Sequence, residues 1–337
     1  MPITSRIFSK SILYLIHKPG LILAATFAGI ILIGTGLLLL PQATITGNIS
    51  FIDALFTAVS AMCVTGLAVL DTGTDFTLFG QSVILGLIQI GALGIMTAVA
   101  FFVLMLRRKA RISYQAALRR ILDTDFITES IRLIKFIIIF TFIIETIGVF
   151  ILFFFWNLPL FSWKEKIFYS IFHSISAFAN AGFSLFSDSL TAFNGDIVLN
   201  ITIMLLIVFG GLGFMVMVDL KKGFWGIIRR DYSFRHFHIH TKIMLAATII
   251  LIIAGAAGFL IFEKNNPDFG SHPIISSFFQ SITARTAGFN TVDIGALSAP
   301  SYLLLMALMF IGGGAGSTAG GVKVTTIVIL FILAISF

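Results

Sequence analysis

Three short stretches hold the residues with chemistry to offer. Val64-Thr65-Gly66, Asn180-Ala181-Gly182 and Thr286-Ala287-Gly288 are triplets of small, weakly polar residues, each ending on glycine. None of the nine side chains can ionise, so acid–base catalysis is outside their reach. What they can supply is backbone carbonyl oxygen, the ligand that replaces the hydration shell of an alkali cation in a narrow pore. Glycine reaches φ > 0 without steric cost, which lets consecutive carbonyls point one way along an axis.

The triplets sit in register inside a longer repeat. Phe56-Thr-Ala-Val-Ser-Ala-Met-Cys-Val-Thr-Gly66-Leu67 aligns with Phe172-His-Ser-Ile-Ser-Ala-Phe-Ala-Asn-Ala-Gly182-Phe183 and with Phe279-Gln-Ser-Ile-Thr-Ala-Arg-Thr-Ala-Gly288-Phe289. The third copy is one residue shorter between its Phe and its Gly. A spacing of roughly 110 residues is too long for a small solenoid repeat.

The elements around each triplet repeat too. An apolar run comes first (Leu21–Leu40, Ile137–Phe155, Ile243–Phe262), near the roughly 20 residues that cross a bilayer. An outer loop follows (Pro41–Ser50, Asn157–Ser162, Glu263–Ser271). Next is a half-apolar segment of roughly 12–15 residues, too short to cross. After the triplet a second long run returns: Leu78–Leu106, Ile197–Leu220, and Tyr302 onward. Glycines interrupt these returns at 91 and 94, at 210, 211 and 213, and at 312 to 314. The fold expected is all-α integral membrane, with repeat units over 1–110, 111–235 and 236–337. Composition agrees. The chain is 58% hydrophobic and 11% charged, where soluble domains carry about 25% charge. Its lone cysteine, Cys63, excludes an intrachain disulfide.

Charge orients the units. Of 22 Lys and Arg, 17 fall before the first run (Arg6, Lys10, Lys18), between Arg107 and Lys135, or between Lys221 and Lys242. The intervening loops carry Asp71, Asp75, Asp188, Asp196, Glu263, Asp268 and Asp293. The positive-inside rule puts the N-terminus and both basic loops in the cytoplasm. Every unit then crosses twice, and its short segment dips in and returns on the outer side. Re-entrant backbone at membrane depth must be buried in protein or line a watery cavity. The short helices aim their partly negative C-terminal ends at a cation, and the outer acids concentrate cations at the mouth. Juxtamembrane charge accounts for the basic stretches, so nucleic acid is not expected as a partner.

The triplet series, the phrase Thr283-Ala-Arg-Thr-Ala-Gly-Phe-Asn-Thr291 and the run Gly312-Gly-Gly-Ala-Gly-Ser-Thr-Ala-Gly-Gly-Val-Lys323 resemble the Trk/Ktr/HKT superfamily of potassium transporters. The nearest likeness is to its KtrB-type membrane subunit, because only about 20 residues precede the first span. The resemblance implies a potassium uptake pore in the plasma membrane. It makes Gly66, Gly182 and Gly288 the filter glycines, and Val64, Thr65, Asn180, Ala181, Thr286 and Ala287 the carbonyl suppliers. Relatives with serine at the first glycine tend toward sodium, so Gly66 implies K+, with Na+ as the alternative ion. It further implies a homodimer seated on a cytosolic nucleotide-binding regulatory subunit of the KtrA/TrkA type, facing loops 107–120 and 221–235. No cofactor is implied.

Six glycines between 312 and 321 make continuous helix improbable there, at about 1 kcal/mol each relative to alanine. A phosphate loop fails on spacing, since Val322 stands where its lysine belongs. No βαβ pattern surrounds a dinucleotide fingerprint. Two readings stay open. The small residues let helices pack closely. Or Gly312, Gly313, Gly314, Gly316 and Lys323 belong to an irregular loop that gates the pore, as the family resemblance implies.

Other residues are read more plainly. Arg285 is expected to hold a pore helix by hydrogen bonds. Glu145 is expected to be a buried polar partner within its span. His236, His238 and His240 read as a solvated juxtamembrane segment, and Cys63 as a packing residue. No catalytic constellation is present, so an enzyme is not expected. A fourfold filter needs four loops, and the sequence has three, stopping in the apolar run Ile335-Ser336-Phe337. The expectation is three units of four, in a C-terminally incomplete sequence. The two functional readings are then a pore subunit and a non-conducting fragment or assembly partner.

Overall fold

The computed structural model describes residues 19–110, 124–156, 162–228 and 237–336. Arg6, Lys10, Lys18, most of loops 107–120 and 221–235, and His236 lie outside the described residues or their described side chains. The first unit has α1 (Pro19–Leu38), α2 (Phe51–Met62) and α3 (Leu78–Ala110). The second has α4 (Thr124–Phe155), α5 (Trp163–Phe178), α6 (Ile197–Leu212) and α7 (Phe214–Ile228). The third has α8 (Ile239–Phe262), α9 (Pro273–Thr283), α10 (Ala299–Phe310) and α11 (Val324–Ser336). No strand occurs among the described residues, only isolated bridges.

The short helices α2, α5 and α9 have 12, 16 and 11 residues. At 1.5 Å per residue each reaches about 16–24 Å, short of a bilayer core of about 30 Å. Their starts are written locally. Ser50 caps α2 by accepting from the Asp53 N–H at 3.1 Å. Ser162 and Glu165 form a capping box on α5. Pro273 opens α9, where its missing N–H costs nothing.

In the first two units the short helix packs between its own long helices; in the third, α9 packs on α8, and units meet where α3 touches α4 and α5, and where α6 touches α9. Leu32, Ile33, Phe142, Phe150, Ile250 and Leu303 point outward and are exposed, as a lipid-facing surface requires. Spans Leu78–Ala100, Ile131–Phe155 and Ile239–Phe262 are each long and apolar enough to cross.

The return helices differ from one another. In the first, α3 runs unbroken, and Gly91 is packed so closely that a Cβ would collide with the Met62 carbonyl. The second departs from the continuous run Ile197–Leu220 expected from apolarity. The chain turns by 106° between α6 and α7. Gly213 makes the turn at φ +88°, with the Ala315 carbonyl 2.5 Å from where a Cβ would stand. The third return is broken outright between Phe310 and Val324.

The acids of the loops between helices have structural tasks besides their charge. Asp196 caps α6 through the Leu199 N–H at 3.0 Å, and Asp71 accepts from the N–H groups of Gly73 and Thr74. Glu263, 2% exposed, accepts from the Ser298 hydroxyl at 2.6 Å and N–H at 2.9 Å and from Asn266 at 2.6 Å. Burial pushes its carboxyl up, but these hydrogen bonds together hold it below the usual range. A lowered folded value stabilises the fold above the unfolded pKa and is lost as pH falls through the folded one. Glu263→Gln is therefore expected to lower thermal stability in detergent near neutral pH, with the gap from wild type narrowing in acid, as pH falls below the usual glutamate range. An equal gap at neutral and acid pH would contradict this.

Candidate ion pathway

The first residue of each triplet is placed by the way its short helix ends. At α2, the Val64 N–H donates to Ala61 O at 3.2 Å and the Thr65 N–H to Ser60 O at 2.8 Å. At α5, Asn180 and Ala181 repeat the pattern to Ala177 and Ser176, at 3.0 and 2.8 Å. This bond pair forces the residue after the cap into the left-handed region. The third copy, one residue shorter between its Phe and its Gly, ends its helix instead with Ala287 N–H on Thr283 O at 2.9 Å.

The consequence is shared by all three. Val64, Asn180 and Thr286 have φ of 56°, 57° and 68°, and Gly66, Gly182 and Gly288 have 80°, 71° and 88°. The middle residues Thr65, Ala181 and Ala287 are not left-handed. Alternating handedness is a backbone pattern in which successive carbonyls can line one side. Positive φ at non-glycine residues, one of them β-branched Val and another Thr, costs about 1–3 kcal/mol each and persists only where surroundings enforce it.

The loops touch at their glycines. A Cβ on Gly66 would collide with the Ala181 carbonyl oxygen. One on Gly182 would lie 2.7 Å from the Ala287 oxygen and 2.8 Å from the Gly288 Cα. Loop II thus lies against both loop I and loop III.

A brace not foreseen from sequence recurs three times. The hydroxyls of Ser60, Ser176 and Thr283 donate to the carbonyls of Leu67, Phe183 and Phe289, at 2.6, 2.7 and 2.6 Å. Each ties a short helix to the residue just past its triplet glycine. The signal was available, because the three hydroxyls align in the repeat. Ser176→Ala is expected to lower stability in detergent by ~1 kcal/mol, the net worth of one hydrogen bond. Wild-type stability in the variant would show the brace to be idle.

Beneath the triplets, residues 311–323 form a loop and not closely packed helix. Its ends meet, since Gly312 N–H donates to Val322 O at 3.2 Å and Val322 N–H to Phe310 O at 3.0 Å. Gly314 N–H reaches Gly211 O at 2.8 Å, Thr318 N–H reaches Gly210 O at 3.2 Å, and Gly316 O accepts from Phe214 N–H at 3.2 Å. The loop therefore rests on the bend between α6 and α7. It also holds two of the triplets. Thr286 Oγ1 accepts from Gly320 N–H at 2.8 Å. The Asn180 amide lies 2.7 Å from Thr318 Oγ1; with its oxygen toward Thr318 and Gly211 N–H, its nitrogen donates to Ile207 O at 3.3 Å.

Two single-residue expectations need correcting, those for Arg285 and Cys63. Arg285 does not hold a pore helix by its side chain; its Nη2 donates to Gly312 O at 3.2 Å, because the guanidinium points down into the glycine-rich loop. Lys323 is half-buried and donates to Ala319 O at 2.8 Å, within its own loop. Cys63 is exposed at the cap of α2, so it does not serve as packing in this chain. His238 is solvated but also paired, 2.8 Å from buried Asp219, which takes the Thr241 hydroxyl at 2.6 Å as well. His240 is half-buried. Glu145 matches its reading as a buried polar partner, accepting from Gln89 at 3.1 Å.

Comparison with known proteins follows the geometry. The family model for TrkH, described as a cation transport protein, matches residues 5–337. The Ktr system potassium uptake protein B of Bacillus subtilis (strain 168) is 42% identical over 333 residues, covering 97% of this chain and 73% of that protein. Its namesake in Vibrio alginolyticus is 42% identical over 325 residues, 95% of this chain and 70% of that one. The potassium/sodium uptake protein NtpJ of Enterococcus hirae is 39% identical over 320 residues, 94% and 69% respectively. The crystal structure of the potassium transporter TrkH from Vibrio parahaemolyticus shares the fold, with a TM-score of 0.61 at 22% identity over 90% of this chain and 60% of that one. The chain belongs to the TrkH family of cation transport proteins.

Proposed function

We propose that this chain is a pore-forming subunit for potassium uptake across the plasma membrane, and not an enzyme. The carbonyls of residues 64–66, 180–182 and 286–288 take the place of water around K+. The glycine-rich loop, with Gly312, Gly313, Gly314, Gly316 and Lys323, lies across the path as its gate. The observation that carries this reading is the alternation of left-handed and other backbone, repeated at all three triplets. Similarity to potassium uptake proteins over nearly the whole chain supports it. Na+ is the alternative ion, in keeping with the name of the Enterococcus hirae relative. The repeat units are 1–110, 111–235 and 236–337, each starting and ending in the cytoplasm. A homodimer on a cytosolic KtrA/TrkA-type nucleotide-binding subunit completes the proposal, resting on the family resemblance.

One observation favours a second reading. Among the described residues the three loops meet as a row, I against II and II against III. Closing a row into a fourfold ring takes a further loop, so these residues acting alone would be a non-conducting fragment or assembly partner. Potassium uptake by cells lacking their own uptake systems separates the two. The protein is expected to restore uptake and growth at low potassium. Inserted protein without uptake would reject the pore reading and leave the second.

A further inference from the structure

Arg285 and Thr286 are consecutive residues of loop III, and between them they hold both ends of the glycine-rich segment. The Arg285 guanidinium takes the Gly312 carbonyl, and the Thr286 hydroxyl takes the Gly320 N–H. Arg285 is 8% exposed, and no carboxylate pairs with it among the described residues. Beside it lies a hollow of about 10 Å³, lined by Asn180, Gly211, Thr248, Arg285, Gly313 and Ala319. Two buried polar atoms at this hollow have no hydrogen-bond partner among the described residues: Arg285 Nε and Thr248 Oγ1. Thr248 is on α8, a different element from the loop.

A buried, unsatisfied donor and a buried, unsatisfied hydroxyl at the same small space call for an explanation. A guanidinium has five donors in a rigid fork and keeps its charge, so it must always hold an acceptor. When the glycine-rich loop withdraws, Gly312 O leaves with it. We propose that Arg285 is a latch with two berths. In the shut pore it grips Gly312; as the loop withdraws, taking Gly313 and Ala319 from the wall of the hollow, the guanidinium turns to the Thr248 hydroxyl. Thr248 thereby lowers the cost of opening, and Arg285 sets the balance between the two states. Both act as positioning residues, through the loop and not on the ion. The inference rests on the filter-and-gate reading above.

Opposite signs test it. Potassium uptake per inserted protein is measured for wild type, Arg285→Gln, Thr248→Val, Thr248→Ser and the double variant Arg285→Gln/Thr248→Val. Arg285→Gln, which loosens the grip on Gly312, is expected to raise uptake about fivefold, and Thr248→Val, isosteric but without an acceptor, to lower it by about the same factor. Thr248→Ser keeps the hydroxyl and is expected to match wild type. In the Arg285→Gln background Thr248→Val is expected to have no further effect, since its partner is gone. If Arg285→Gln fails to reach the membrane, Arg285→Lys, a shorter single-point donor, carries the same expectation. Thr248→Val with unchanged uptake, an equal drop in both backgrounds, or no gain from loosening Arg285 would overturn the latch while leaving the pore reading intact. Wild type without uptake would overturn both.

Discussion

Replacing Gly182 by serine is expected to cut potassium uptake at least about tenfold and to narrow its preference over sodium. Gly182 has φ +71°, where an L-residue pays about 1–2 kcal/mol. A Cβ there would also stand 2.7 Å from the Ala287 oxygen and 2.8 Å from the Gly288 Cα, both backbone atoms of the neighbouring loop. Overpacking of this kind costs about 1–3 kcal/mol more. No flexible side chain can yield, so the strain must displace loop II against loop III. Displaced carbonyls no longer match the dehydrated ion, and K+ loses more than Na+ if the opening narrows. Uptake of each ion per inserted protein measures the effect. Wild-type rates and ion preference in the serine variant would remove Gly182 from the filter.

Deleting Gly313–Gly320 should act in the opposite direction and raise cation flux about tenfold. The ends of the segment are already adjacent, because Ile311 bridges Val322 and a Cβ on Gly312 would lie 2.9 Å from the Gly321 Cα. Joining Gly312 to Gly321 therefore leaves α10 and α11 where they are. The deletion removes the segment's bonds to Gly210, Gly211, Phe214 and Thr286, each a net contribution of about 1 kcal/mol. Two of the lost contacts, Gly320 N–H on Thr286 and Thr318 on Asn180, also steady the triplets, so ion preference is measured beside the flux. Unchanged or lower flux through folded, inserted protein would mean that the loop does not close the path.

Much of this architecture could be read from residue types and lengths. The short helices announced themselves by length and by Ser50, Ser162 and Pro273 at their starts. The triplet glycines stood out because only glycine tolerates the close backbone approach seen at Gly66 and Gly182. The left-handed Val64, Asn180 and Thr286 were not legible, because intrinsic preference argues against them. Their conformation comes from how the preceding helix terminates, a property of several hydrogen bonds together. The 106° turn at Gly213 was hidden for a similar reason. Apolar residues run straight through it, and what bends the chain is a loop about 100 residues onward, through Ala315 and Gly316. Arg285 was misread because its acceptor, Gly312, is set by tertiary packing and not by its own helix. The Ser60, Ser176 and Thr283 braces fall between these cases. Their register was visible, but the bond they make depends on the chain doubling back past the glycine.

The central claim is that the three triplets hold the transported ion by their backbone. Anomalous scattering from thallium or rubidium, soaked into crystals of the protein in place of potassium, tests it most directly. The account predicts a peak on the axis bounded by the carbonyls of Val64, Asn180 and Thr286 and the glycines two residues on. Ordered protein with the ion bound elsewhere, and none among those carbonyls, would contradict it.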